Sequence, residues 1–170
     1  GGGGDAVIVG LLLTFVFVVL NGFFVGAEFA LVKLRATQIE RIAKQPGAAA
    51  KATVEVCKQL ERFLSATQLG ITLASLGLGS VAEPSVAAAL DALAGRMGLT
   101  FHAVHQIAHA LAFIVLTGAH ILFGELVPKL IAISSAERVA LAVARPLRLF
   151  YYASLPALLV LNGLSSIVLR

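Results

Sequence analysis

The sequence predicts an all-α membrane protein, and three observations lead to this fold class. Hydrophobic residues make up 59% of the 170 residues and charged residues only 13%, whereas a soluble domain is about half apolar and about a quarter charged. The mean hydropathy is +0.95. Apolar runs recur that are long enough for a helix to cross the hydrocarbon layer, which takes about 20 residues. We therefore expect a chain that is solvated largely by lipid.

The first predicted transmembrane span covers residues 6–32, an apolar run with few interruptions. The preceding GGGGD is typical of a cloning remnant, so residues 1–5 are left out of the predicted fold. The second predicted span, 63–82, is less hydrophobic and rich in Ser, Thr and Gly. The glycines of Gly77–Gly79, followed by Pro84, predict that this helix breaks near its outer end.

The connection between these two spans, residues 33–62, is strongly basic. It holds seven of the chain's 13 lysine and arginine residues against three glutamates. Cytoplasmic loops carry such an excess, so we expect this juxtamembrane connection inside and the N-terminus outside. The sequence QPG at 45–47 predicts a break between two surface helices. The next connection, 83–101, carries a single basic residue, as an outside loop should.

The third predicted span, 108–133, returns the chain to the inside, where further basic residues follow. Residues 134–170 then form a second juxtamembrane region. Its apolar part, 149–169, is long enough to cross the bilayer, but Pro156 and the Asn162-Gly163 pair suit a bent segment at the inner face equally well. The residues by themselves leave both arrangements open.

A proline and a charge in the third span predict a metal-ion site inside a membrane transporter. Pro128 lacks an N–H and cannot donate to the carbonyl of Gly124, which is then free in a low-dielectric setting. Glu125 comes next, five residues after His120. Carbonyl and carboxylate oxygens are hard ligands, and Mg²⁺ takes six oxygens in octahedral array. The alternative is a kinked helix whose glutamate is protonated or paired with Lys129.

Polar residues of the first two spans are candidates to complete this site. Asn21 lies near the middle of its span, and Thr72 and Ser75 belong to a polar stripe whose spacing of three or four puts it on one helix face. Hydrogen bonding between helices is the alternative role for all three. Four further residues are expected to support the site: Glu28, Gln68, His120 and Pro128. For Glu28, an ion pair with Lys33 or Arg35 is the alternative.

Enzymatic and nucleic-acid-binding functions are not expected. The net charge is +4, but the basic residues flank apolar runs and carry no interleaved aromatic residues, so we expect them to set membrane topology. The chain has no Ser/Lys pair, HExxH motif or paired aspartates, and one glutamate with scattered histidines is not a hydrolytic centre.

Three ordered segments, NGFFVGAEFALVKLR (21–35), QLGITLASLGLG (68–79) and GELVPKLIAI (124–133), resemble the transmembrane domain of the CorC/CNNM family. The match is nearest to the bacterial haemolysin-like branch and makes 6–170 a domain of this type. The resemblance implies a Mg²⁺ transporter, generally regarded as an exporter and Na⁺-coupled. It further implies a homodimer in the plasma membrane, here the bacterial inner membrane, with an outside N-terminus, three spans and a cytoplasmic belt of juxtamembrane helices.

Family members continue into cytosolic CBS modules, so the resemblance implies an odd number of crossings and places 149–169 at the inner face. The rival function is a non-transporting membrane anchor for those modules. The implied ion ligands are Asn21, Thr72, Ser75, Gly124 and Glu125. Two departures affect this set: NGFFVGAE replaces the SxFFSxSE of many relatives, which puts Val25 and Ala27 at serine positions, and GITLAS replaces GNNLVN.

Overall fold

The computed structural model describes residues 2–98 and 102–168, and within them every regular element is helical. Seven α-helices and one π-helical segment, named π1, follow one another along the chain: α1 (Gly2–Lys33), α2 (Ala36–Ala43), α3 (Ala48–Lys58), α4 (Leu60–Arg96), α5 (His102–Ala119), π1 (His120–Leu126), α6 (Val127–Ser134) and α7 (Ala136–Val168). The predicted all-helical fold is confirmed.

Four helical stretches of the described chain are long and apolar enough to cross a membrane. They are Gly4–Lys33, Leu60–Arg96, Gln106–Ser134 and Ala136–Ile167. Each of the three predicted spans falls within one of the first three. The fourth stretch lies in α7 and also meets the length requirement, so length and composition alone give four candidate crossings where we expected three.

Two helices extend beyond their predicted ends. α1 begins at Gly2 and so includes residues that we had left out of the fold. α4 runs without a break through Pro84 to Arg96, which makes the predicted break near its outer end wrong. A proline removes one backbone hydrogen bond, and long membrane helices tolerate that loss where neighbouring groups satisfy the freed carbonyl.

The described chain forms two compact units, of which the first takes residues up to Gly22 and Thr72–Val127. In this unit α1 and α4 pack so closely that glycines are required. A Cβ built on Gly77 would lie 2.4 Å from a ring carbon of Phe17, and one on Gly10 would lie 1.9 Å from the Ser85 hydroxyl. The order of these two contacts along the chain makes the helices antiparallel.

The second unit, Phe23–Ile71 with Pro128–Arg170, holds the hydrophobic core of buried residues. α2 and α3 are separated at Gln45–Gly47, as predicted, and Gly47 adopts a φ of 118°, which favours glycine. α3 packs along α7, and the Phe63 and Tyr151 rings lie 4.6 Å apart between centroids.

Ion pairs on the surface of this unit join the juxtamembrane helices to α7. The Arg41 guanidinium donates to the Glu137 carboxylate and, through this hydrogen bond and its charge, holds the pKa of Glu137 below its ordinary value. Arg148 lies 2.8 Å from the Glu55 carboxylate, which also accepts a bond from the Tyr152 hydroxyl. Most of the predicted juxtamembrane region 134–170 is therefore a single long helix, and one face of it pairs with α2 and α3.

Candidate metal-binding site

The segment HILFGEL forms the π-helical turn π1 in the third predicted span. The N–H of Val127 donates to the carbonyl of Leu122, five residues back, which is the π spacing. Pro128, the second residue of α6, brings no N–H for the carbonyl of Gly124. Wider turns of this kind are frequent at functional sites. The sequence pattern predicted the freed carbonyl, but it contained no signal that distinguished a π turn from a simple kink.

The carbonyl of Gly124 accepts a hydrogen bond from the side-chain amide of Asn21, at 3.1 Å. The same amide nitrogen lies 3.0 Å from Nε2 of His120, and the Ser75 hydroxyl donates to Oδ1 of Asn21 at 3.3 Å. Asn21 is fully buried. The Asn21 amide thus joins the first span to the second span and to π1. We call Asn21, Ser75, His120 and Gly124 the polar cluster.

The partners of Asn21 determine which way its amide points. A backbone carbonyl only accepts, so the atom that faces Gly124 must be the NH₂ group. That group donates also to Nε2 of His120, so Nε2 carries no proton in this arrangement. Every hydrogen-bonding atom of the Asn21 side chain has a partner. The cluster is therefore satisfied as it stands, with Oδ1 turned towards Ser75.

Glu125 lies beside the cluster but is not hydrogen-bonded into it. Its carboxylate oxygen is 3.8 Å from Nε2 of His120, and its side chain is 51% exposed. A half-exposed carboxylate in an apolar span destabilises the protein unless it pairs with another group or binds a cation. Glu125 belongs to π1, the turn that also carries His120 and Gly124 of the cluster.

The remaining predicted site residues lie near the cluster in sequence but are not brought into it by these contacts. Thr72 is exposed on α4, one turn before Ser75. The supporting positions Glu28, Gln68 and Pro128 belong to the second unit, where Gln68 is exposed and Pro128 lies 3.8 Å from a Cβ built on Gly26. Lys129 lies over the Phe29 ring, 4.6 Å from its centroid.

Two features of the site were missed by sequence reasoning. Gly124 has no room for a side chain, because a Cβ there would lie 2.8 Å from Cδ2 of His120 and 3.2 Å from Nδ2 of Asn21. A cavity of about 130 Å³ opens between α4 and α5 and reaches Ser75 and His120. The sequence did contain one indication of the cavity. Ser75, Gly79 and Glu83 are spaced four residues apart, which puts polar or small residues on one face of α4.

The donor atoms at the cluster favour a hard cation. Among the described residues, no three His, Cys, Asp or Glu side chains come together as a metal site. A cation here would therefore depend mainly on the oxygens of Asn21, Ser75 and Gly124 and on the Glu125 carboxylate, with Nε2 of His120 as a nitrogen acceptor beside them. Amide, hydroxyl, carbonyl and carboxylate oxygens suit Mg²⁺ and Ca²⁺, whereas zinc prefers sulfur and imidazole nitrogen.

Comparison with known proteins gives consistent matches over most of the chain. Residues 12–170 match the family described as Cyclin M transmembrane N-terminal domain, CNNM. Among curated proteins, UPF0053 protein YhdT of Bacillus subtilis is 40% identical over 153 residues, which is 90% of this chain and 33% of the relative. UPF0053 protein YugS of the same organism is 37% identical over 163 residues, 96% of this chain and 38% of the relative. The chain spans about a third of the length of these relatives.

Proposed function

Since the chain belongs to the family of Cyclin M transmembrane N-terminal domains, we propose that it is the membrane part of a transporter that carries Mg²⁺ across the plasma membrane. One observation supports this proposal above the others: a buried amide, a hydroxyl and a proline-freed carbonyl converge on a π turn, beside a carboxylate, inside apolar helices. Polar groups are expensive at membrane depth and mark ion pathways.

Rotation of the Asn21 side-chain amide would allow the polar cluster to bind and release a cation. With NH₂ facing Gly124 and His120, the cluster needs no ion. A rotation of about 180° around the terminal side-chain bond, which is broad and two-fold for Asn, would instead place Oδ1 against the carbonyl and Nε2. Three acceptors would then face one another, and a cation relieves that conflict. Mg²⁺ binding and amide rotation are thus linked.

Glu125 compensates the charge of the bound ion. A divalent cation that gives up water needs close oxygen ligands and an opposite charge nearby, and this carboxylate lies within reach of His120 on the adjoining turn. Mg²⁺ requires about 2.0–2.1 Å bonds in octahedral array, whereas Ca²⁺ takes longer bonds and more ligands. A small enclosed cluster therefore favours Mg²⁺.

We further propose that the transport direction is export and that inward Na⁺ movement drives it.

The proposed topology has three crossings in each protomer of a homodimer, in the bacterial inner membrane. The basic connection 33–62 lies inside, the N-terminus lies outside, and α7 stays at the inner face. Packing of α3 along α7 supports this placement, because α3 carries charged residues on a short amphipathic helix. A periplasm-dependent reporter fused after Ser166 should be inactive; an active reporter would contradict the three-crossing arrangement.

The matched relatives are about three times as long as this chain, and we propose that cytosolic CBS modules follow it in the whole protein. The rival role is that of an anchor for those modules. Transport by the full-length protein separates the two, since an anchor moves no ions.

The decisive experiment compares wild-type protein with Glu125→Gln in right-side-out membrane vesicles loaded with a fluorescent Mg²⁺ indicator. We expect Mg²⁺ flux down an imposed gradient in the wild type and a loss of at least about tenfold in the variant, because the neutral amide no longer compensates the ion. Glu61→Gln, at the exposed start of α4, is the matched control and should keep the wild-type rate. Absence of flux in the wild type would support the anchor.

A further inference from the structure

The cavity between α4 and α5 reaches the polar cluster. Its walls include Ser75 and His120, the two side chains that also contact Asn21. Eight residues further along α4, Glu83 lines the same cavity. A rise of about 1.5 Å per residue puts Glu83 about 12 Å from Ser75 along the helix axis. The cavity therefore runs from the cluster towards the C-terminal end of α4, which is the outer end in the proposed topology.

Resting on the proposed function, we propose that this cavity is the outer vestibule of the ion pathway and that Glu83 attracts the hydrated divalent cation to its mouth. The Glu83 side chain is exposed, so its carboxylate can meet an ion that still holds its water. Thr117, one turn before His120 on the facing wall, supplies a polar group between the mouth and the cluster. An ion can exchange water for these groups in steps.

The cavity is kept open by the absence of a side chain at Gly79. Gly79 lies in the wall between Ser75 and Glu83, and a Cβ built on it meets nothing within 4 Å. Glycine is unfavourable inside a helix by about 1 kcal/mol relative to alanine. Neither a turn, a positive φ nor a close helix contact requires glycine at this position. Open space beside a lining glycine is what an aqueous path requires.

The volume and the charge suit a cation with part of its water shell. A cavity of about 130 Å³ holds a few waters, each of which occupies about 30 Å³ in the liquid. A carboxylate at the mouth of a low-dielectric cleft raises the local concentration of cations. The described lining contains no lysine or arginine to oppose it. The vestibule therefore favours cations and disfavours anions.

The first test neutralises the carboxylate in the full-length protein. An inward Mg²⁺ gradient across right-side-out vesicles runs the exporter in reverse and makes the vestibule the entry side. Under this gradient, Glu83→Gln should raise the apparent KM for external Mg²⁺ about fivefold at low ionic strength and leave the maximal rate unchanged. The difference should shrink as salt is added, because salt screens exposed charges. Glu61→Gln, at the opposite end of the same helix, is the matched control and should leave KM unchanged at every ionic strength.

The second test fills the cavity. Gly79→Leu should lower the maximal rate at least about tenfold at every ionic strength, because an aliphatic side chain then occupies the path. Gly95→Leu is the matched control: Gly95 lies on α4, its Cβ position is also open, and it does not line the cavity. Both variants should melt at or above the wild-type temperature, since leucine favours the helix more than glycine does.

The outcomes separate this inference from the proposed function. Wild-type flux that Glu83→Gln and Gly79→Leu both leave unchanged overturns the vestibule, while the proposed function stands. A KM effect of Glu83→Gln that persists undiminished at high salt also overturns it, because the residue would then act by contact within the fold rather than by its field. Absence of flux in the wild type overturns the proposed function and the vestibule together.

Discussion

Asn21→Leu is expected to abolish Mg²⁺ transport and to destabilise the protein by about 1–3 kcal/mol. Leucine has the same number and branching of side-chain heavy atoms as asparagine but neither donates nor accepts a hydrogen bond. The buried carbonyl of Gly124 and the half-buried hydroxyl of Ser75 would lose their partner, the fully buried Asn21 side chain. A buried polar group that is left without a partner costs more than the bond itself contributed. Thermal unfolding in detergent and vesicle flux measure the two effects.

The same change at an exposed asparagine provides the control. Asn162→Leu, on the exposed part of α7, should leave both the melting temperature and the flux near wild type. A melting temperature of Asn21→Leu that equals the wild-type value would contradict the hydrogen-bonded cluster. It would mean that the amide is not the partner of the Gly124 carbonyl.

Asn21→Asp separates a metal site from a structural hydrogen bond. A carboxylate has no N–H for the Gly124 carbonyl, so without metal this variant should melt below the wild type. Mg²⁺ should raise its melting temperature more than it raises that of the wild type, because the cation satisfies the opposed acceptors. If Mg²⁺ changes neither melting temperature, the cluster is a structural contact between helices and the anchor role gains support.

The polar cluster shows what local sequence can and cannot predict. Pro128 predicts that the carbonyl of Gly124 needs a new partner, because this follows from covalent chemistry within five residues. The identity of that partner does not follow. We expected Asn21 to offer an oxygen to a shared ion, whereas in the structure its NH₂ group satisfies the carbonyl directly. Which atom faces the carbonyl depends on how α1 lies against π1.

The helices themselves were predictable for a different reason. Only long apolar helices are stable across the hydrocarbon layer, so hydropathy alone locates the spans. Their ends were less predictable, because α4 continues through Pro84. The glycine contacts escaped prediction as well. In the first unit, for example, a Cβ on Gly77 would lie 2.4 Å from a ring carbon of Phe17.

Gly124→Ala is expected to lower Mg²⁺ flux at least about tenfold while the protein stays folded. The added methyl group would lie 2.8 Å from Cδ2 of His120 and 3.2 Å from Nδ2 of Asn21. Both side chains must move, and ligands that are displaced by about half an ångström or more no longer provide the required geometry. Crowding of this kind costs about 1–3 kcal/mol. Alanine offsets up to about 1 kcal/mol through its higher helix propensity.

Gly118→Ala is the matched control, because Gly118 lies two residues before the start of the π turn and its Cβ position is open. It should transport at the wild-type rate and melt slightly higher than the wild type. Both substitutions add one methyl group to the same predicted span. A difference in Mg²⁺ flux between them therefore reports on the polar cluster and not on the helix in general. Equal flux in Gly124→Ala and Gly118→Ala would show that the polar cluster tolerates displacement of Asn21 and His120. A site that must enclose Mg²⁺ within tight bond lengths could not tolerate it.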